Sequence, residues 1–183
     1  MKSQLHPQEA PSGVVLVTAR LILRPTSSED FDAWADFSSH PETMRFLGGP
    51  QSRPIAWRAF VTMAGCWSLY GFGMFSMIHR ATNRWIGRIG PWRPEGWPGN
   101  EVGWGIAHEF EGQGYAFEAA EAAINWAFAT LGWDEVIHCI PAENVRSRAL
   151  AQRLGSTYRG RTVLPPPAGT EVEVWGQRRK LRL

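Results

Sequence analysis

A chain of 183 residues, 44% hydrophobic and 20% charged, is long enough for one domain with a sizeable core and too ordinary in composition to be fibrous or disordered. Its formal net charge of +2 gives no basic surface of the kind that holds nucleic acid. Cys66 and Cys139 have neither metal-ligand nor disulfide spacing, no apolar run is long enough for a bilayer, and the N-terminus has no signal core; the expectation is a metal-free cytoplasmic protein with no nucleic-acid or membrane partner.

Residues 1 to 13 are polar and proline-bearing and are expected to form a disordered tail, with one domain from residue 14 to 183. Val14 to Arg24 is rich in aliphatic and β-branched residues and predicts a strand ending at Pro25. Thr26 to Asp30 offers capping hydroxyls and first-turn acids, and Phe31, Trp34, Ala35 and Phe37 then recur at helical spacing. Gly48-Gly49-Pro50 breaks the chain, and Pro54 to about Leu69 predicts a second helix with Pro54 in its first turn. Phe72 to Ile78 and Trp85 to Gly90 read as an antiparallel hairpin turning at Arg80–Asn83. The proline- and tryptophan-bearing segment from Pro91 to Asn100 is a loop long enough to carry a function.

Glu101 to Ile106 predicts a strand and Ala116 to Leu131 a helix, with Gly132 as its left-handed cap. Between them stands Glu111-Gly112-Gln113-Gly114-Tyr115-Ala116, a glycine turn that exposes backbone N–H groups at a helix N-terminus and so suits a phosphate. A dinucleotide turn fails at Phe117, where a third glycine would be needed, and a P-loop fails for want of Gly-Lys-Ser/Thr. A glycine turn with no ligand is the plain alternative. Further on, Glu135 to Ile140 is a buried strand, Asn144 is placed to cap a short helix from Val145 to Leu154, and Thr157–Val163 and Glu171–Trp175 are strands either side of Pro165-Pro166-Pro167. The basic run Gln177 to Arg182 reads as a solvated tail or edge. Helices before a central hairpin and strands alternating with helices after it predict an α/β (α+β) domain on a mixed sheet.

Gly112-Gln113-Gly114-Tyr115-Ala116 with Glu118-Ala119-Ala120 resembles the acyl-CoA loop of the GNAT N-acetyltransferase superfamily, most closely the branch that includes the ribosomal-protein N-terminal (alanine/serine) acetyltransferases. Asn144-Val145-Arg146-Ser147 and the Leu154-Gly155 ending look like that family's second signature. The resemblance covers about residues 14 to 176. It implies a mostly antiparallel central sheet flanked by helices, in which acyl-CoA lies where the strand before the loop splays from its neighbour. Pantetheine would then pair with Ile106, Ala107 and His108, and pyrophosphate would meet the N–H groups of Glu111 to Ala116, with Asn144 and Ser147 also at the cofactor. Glu111 stands where the family usually has Arg or Gln, and Ala151 where many members have a Tyr acid.

The resemblance also assigns roles. Glu101 is the general base that frees the amine's lone pair, its pKa raised by burial among tryptophans, and Ser147 is the hydroxyl beside the departing thiolate. The bland readings are an exposed strand-end carboxylate and a helix-capping serine. Trp57, Trp92, Trp97 and Trp104 are candidates for an aromatic acceptor pocket, with Arg45 and Arg53 able to receive a carboxylate; His108 is a second candidate base, and His138 and Cys139 read as core groups. The implied activity is transfer of acetyl from acetyl-CoA straight to a primary amine, on a small molecule or a protein N-terminus, in a ternary complex. A catalytically idle acyl-CoA sensor or partner-binding module on the same fold is the alternative. The oligomeric state stays open, a homodimer included.

Overall fold

The computed structural model describes residues 13–180, so the expected N-terminal tail and the last three residues fall outside the described residues save Gly13. The expected first strand is instead two. Leu16–Val17 (β1) and Leu21–Pro25 (β2) pair antiparallel, because Thr18 turns the chain back: its N–H donates to the Leu21 carbonyl at 2.9 Å and its Oγ1 accepts the Leu21 N–H at 3.0 Å. Ser27 and Asp30 then form a capping box ahead of helix Phe31–Ser39 (α1). A one-turn helix, Pro41–Met44 (α2), was not anticipated; it starts at a proline behind His40, whose ring accepts the Thr43 N–H. Helix Arg53–Tyr70 (α3) follows, with Pro54 in its first turn.

Phe75–His79 (β3) and Arg84–Trp92 (β4) form the expected hairpin, β4 running two residues further than Gly90. Glu101–Ile106 (β5) lies antiparallel to β4. Helix Tyr115–Thr130 (α4) leads to Glu135–Ile140 (β6), helix Val145–Arg153 (α5), Thr157–Val163 (β7) and Glu171–Arg178 (β8). Part of the C-terminal basic run is thus the end of β8.

The eight strands form one sheet in the order β1-β2-β3-β4-β5-β6-β8-β7. All neighbours are antiparallel except β5 and β6, which are parallel and share the single register pair Glu101↔Ile137. The alternation of β2 divides the core. Leu21 and Leu23 are fully buried with Phe75, Met77, Ile86 and Ile89 against α4, while Ile22 joins Ile78, Trp85, Trp34, Phe37 and Phe60 under α1 and α3. Each large apolar side chain buried this way contributes about 1.5–3 kcal/mol. Small residues on α4, Ala119, Ala120, Ala123 and Ala127, are buried without exposure and let the helix sit close to the sheet. Along β5 the same parity puts Glu101, Gly103 and Gly105 on the α1/α3 face and Val102, Trp104 and Ile106 on the α4 face.

Candidate active site

The site is built where β5 and β6 part. Ile137 N–H donates to the Asn100 carbonyl at 2.9 Å. One rung on, a regular parallel ladder would join Cys139 N–H to the Val102 carbonyl. Here both groups find side chains instead: Cys139 N–H donates to Glu101 Oε1 at 3.2 Å, and the Val102 carbonyl accepts His138 Nδ1–H at 2.7 Å. Each backbone group left by the divergence is therefore satisfied without closing the gap.

Glu101 sits at the apex of that gap. It is 7% exposed, and its other oxygen accepts Trp97 Nε1–H at 2.5 Å. Burial disfavours the carboxylate and outweighs the opposing Cys139 N–H, Trp97 and Arg88 contributions, pushing the pKa up to about 7. Trp92 meets Trp97 edge-on at 6.4 Å between ring centroids and walls this corner. The exposed strand-end reading of Glu101 is excluded by its burial.

His138, 1% exposed, donates from Nδ1, so its Nε2 accepts; Ser156 Oγ lies 3.0 Å away and in turn accepts from Gln177 Nε2 at 3.2 Å. Burial holds this imidazole neutral, with a pKa lowered to about 4. The Cys139 thiol is pushed far up by burial and by Glu101, so it stays protonated and is a poor nucleophile.

Beyond the apex the gap widens into a cleft of about 710 Å³ between β5, the glycine turn and α5. All of the cofactor positions inferred from the sequence line it except Ala107 and Gln113. Ala107 N–H is committed to the Ile86 carbonyl at 2.9 Å and His108 N–H donates to Thr43 Oγ1 at 3.2 Å, so these two amides are occupied within the protein. Gly112 and Gly114 adopt φ of 74° and 84°, a region that favours glycine and that turns the loop into the N-terminus of α4. Gln113 points its carbonyl away, to Arg20 Nη1 at 2.9 Å.

Asn144 Oδ1 accepts the Ser147 N–H at 3.1 Å, so Asn144 caps α5 and the Ser147 hydroxyl does not. Ser147 Oγ accepts Trp104 Nε1–H at 3.1 Å, which leaves its own O–H to point into the cleft. Trp104 was grouped with the acceptor pocket, but it lies on the opposite face of β5 from Glu101 and packs on His138 with centroids 4.7 Å apart. It lines the same cleft as Ser147. Trp57 is 53% exposed on α3 and does not line the cleft. Trp92 and Trp97 are the two acceptor candidates beside Glu101.

Charges the sequence does not place at the loop arrive from elsewhere in the fold. Arg146 Nη1 meets Glu111 Oε2 at 2.6 Å, supplying the cation that Glu111 displaces from the turn, and Arg153 lines the cleft while stacking on Phe117 at 4.8 Å. Arg20 ties the loop to Glu118 at 2.7 Å and stacks on Tyr115 at 4.5 Å. Of the two arginines suggested for a carboxylate, Arg53 is paired with Asp32 and Arg45 lies at the cleft mouth. Among the described residues no cluster of His, Cys, Asp and Glu could hold a metal, and no helix is long and apolar enough to cross a membrane.

Comparison with known proteins agrees with this geometry. A family described as Acetyltransferase (GNAT) domain matches residues 20–157. The structure of an acetyltransferase from Agrobacterium tumefaciens superposes with a TM-score of 0.81 at 33% identity, covering 92% of this chain and 96% of that one. The FsC-acetyl coenzyme A-N(2)-transacetylase of Aspergillus fumigatus is 29% identical over 182 residues, covering 87% of this chain and 73% of that protein. A ribosomal-protein alanine acetyltransferase of Vibrio fischeri shares the fold, with a TM-score of 0.70 at 14% identity over 91% of this chain and 97% of that one. The chain belongs to the GNAT acetyltransferase family.

Proposed function

We propose that this GNAT acetyltransferase moves the acetyl group of acetyl-CoA directly to a primary amine in a ternary complex, with Glu101 as base and Ser147 beside the leaving sulfur. The observation that carries the reading is Glu101 itself: a buried carboxylate at the apex of the β5/β6 gap, held by two donors and titrating near 7. The relative from Aspergillus fumigatus, named for acetyl coenzyme A and N(2) transfer, supports the donor and the amine.

In this mechanism Glu101 accepts the proton of the acceptor's ammonium, directly or through one water. The freed nitrogen attacks the thioester carbonyl carbon, the C–N bond forms, and the C–S bond breaks as the tetrahedral intermediate collapses. The Ser147 hydroxyl, anchored by Trp104, donates a hydrogen bond to the sulfur as negative charge develops there. The second proton on the attacking nitrogen passes to the departing sulfur by way of the Ser147 hydroxyl, so that amide and free thiol leave, and Glu101 returns the first proton to solvent. No enzyme nucleophile takes part, since alignment of amine and thioester in one complex supplies the advantage a covalent step would otherwise give.

The experiment is amine-dependent release of thiol from acetyl-CoA by the wild type and by Glu101→Gln. Release that needs an amine and falls about 100-fold or more in the variant supports the reading. Equal turnover by both proteins removes Glu101 from the mechanism.

A further inference from the structure

Arg88 stands on β4 directly opposite Gly105 and points to the α1/α3 face, the face that Glu101 occupies. Several arginines of the fold have a carboxylate: Arg20 has Glu118, Arg24 has Asp30, Arg53 has Asp32 and Arg146 has Glu111. Arg88 has none among the described residues. Its Nη1 meets only the thioether of Met74, at 2.7 Å, its Cζ lies 5.4 Å from the Trp34 ring centre, and its enclosed Nε has no partner. A guanidinium offers five N–H donors in a fork shaped for a carboxylate, and thioether sulfur is a weak acceptor.

Glu101 is within electrostatic reach of Arg88 but makes no ion-pair contact with it; its two oxygens accept from Trp97 and Cys139. Gly103, on the same face of β5, puts no side chain of its own between the two. A Cβ on Gly103 would lie 2.8 Å from Met74 Cε and 3.4 Å from Glu101 Oε1, so only a glycine leaves room there for the Met74 tip beside Glu101. Burial lowers the Arg88 pKa to about 10, which leaves it a cation at neutral pH with its charge uncompensated by contact.

Resting on the acetyl-transfer reading, we infer that Arg88 receives a carboxylate of the acceptor, so that the substrates are amino acids or other small amines bearing a carboxylate. The carboxylate pairs with the guanidinium while the amine lies toward Glu101. The pairing also strengthens the base. Among the groups that hold the Glu101 pKa down, after the Cys139 and Trp97 hydrogen bonds, Arg88 is the one charge, and an acceptor carboxylate that screens the guanidinium relaxes that part of the restraint.

The test compares amino acids with their carboxamides as acceptors for wild type, Arg88→Met and Arg88→Lys, by thiol release, with acetyl-CoA binding measured calorimetrically on the same samples. The amine of a carboxamide is the less basic of each pair, so amine ionisation favours the amide and cannot produce the expected preference. In wild type the acid is expected to exceed its amide about tenfold or more in kcat/KM; in Arg88→Met that ratio falls to about one through loss on the acid alone, and Arg88→Lys lies between. Because the readout is a ratio within one protein, loss of folded enzyme does not mimic it. Equal use of acid and amide by wild type overturns the assignment, as does an equal fall on both in Arg88→Met, which would make Arg88 only a tuner of Glu101. Wild-type protein that neither binds acetyl-CoA nor releases thiol overturns the acetyl-transfer reading and this inference together, whereas intact acetyl-CoA binding without the acid preference overturns this inference alone.

Discussion

His138 Nδ1 donates to the Val102 carbonyl at 2.7 Å, across the rung where β5 and β6 cease to pair. The imidazole keeps both of its bonds only while neutral, since Nε2 must accept the Ser156 hydroxyl. The pair of bonds at this broken rung therefore depends on a buried neutral histidine.

That dependence sets a pH window for stability. The folded pKa of about 4 lies below the ordinary 6.5, so unfolded chains bind more protons between those values. The contribution is fully present above about pH 6.5 and is lost as pH falls through 4, amounting to about 3 kcal/mol at the limit. Denaturant unfolding of wild type and His138→Gln at pH 7.5, 5.5 and 4.5 checks it. The variant is expected to be less stable by about 1–2 kcal/mol at pH 7.5, to close that difference near pH 5.5 and to reverse it at pH 4.5. A constant difference would contradict the account.

Glu101 gives activity a window of the same sign, set higher in pH. A base whose pKa is raised to about 7 is half ionised there, so kcat/KM for the amine climbs through neutrality and levels above it. The acceptor's own ammonium adds a second rise at higher pH, which acceptors of different basicity separate. In Glu101→Gln the lower rise disappears. An amide can accept from only one of Trp97 and Cys139, so the variant also loses about 1 kcal/mol of stability, and rates are compared per folded enzyme.

Asn144 and Ser147 divide their labour. Asn144 Oδ1 caps α5, and Ser147 Oγ faces the cleft with Trp104 behind it. Asn144→Ala is expected to cost about 1 kcal/mol in unfolding. Ser147→Ala is expected to cost about tenfold or more in kcat with acetyl-CoA affinity nearly unchanged. A Ser147→Ala enzyme with full kcat would leave this hydroxyl no part in thiolate departure.

Glu111 places a carboxylate at the turn where phosphate is expected, with Arg146, itself 84% exposed, bonded to it. An exposed pair of this kind contributes under about 1 kcal/mol to stability. Its effect belongs to binding: Glu111→Gln frees Arg146 and removes a repulsive charge. Acetyl-CoA affinity is expected to rise about two- to fivefold at low salt and to converge with wild type at high salt, while Arg146→Ala weakens it. Calorimetric titration at two ionic strengths reads both.

Much of this was legible in the residues. The switch from period two to helical spacing across Gly112 and Gly114 located β5, the turn and α4, and Gly155 closed α5 as expected. Parity could have gone further. Glu101 and Trp104 are three apart on one strand, which puts them on opposite faces, so Trp104 was never available to the base's side of the sheet. The broken rung was hidden, because no local pattern says that two parallel strands part after one register pair. Arg146 and Arg153 reach the loop from α5, more than thirty residues on, and Arg88 reads as an ordinary polar position of a strand until its lack of a partner is seen in three dimensions. The turn that splits β1 from β2 depends on Thr18 closing on Leu21, a contact that an aliphatic-rich stretch conceals.

Calorimetric titration of the folded protein with acetyl-CoA, with NADH as control, tests the central claim most directly. The account predicts a saturable one-to-one isotherm with acetyl-CoA and no heat of binding with NADH. No saturable heat with acetyl-CoA, or equal binding of both, would contradict the assignment of the β5–α5 cleft to an acyl donor and with it the role of Glu101.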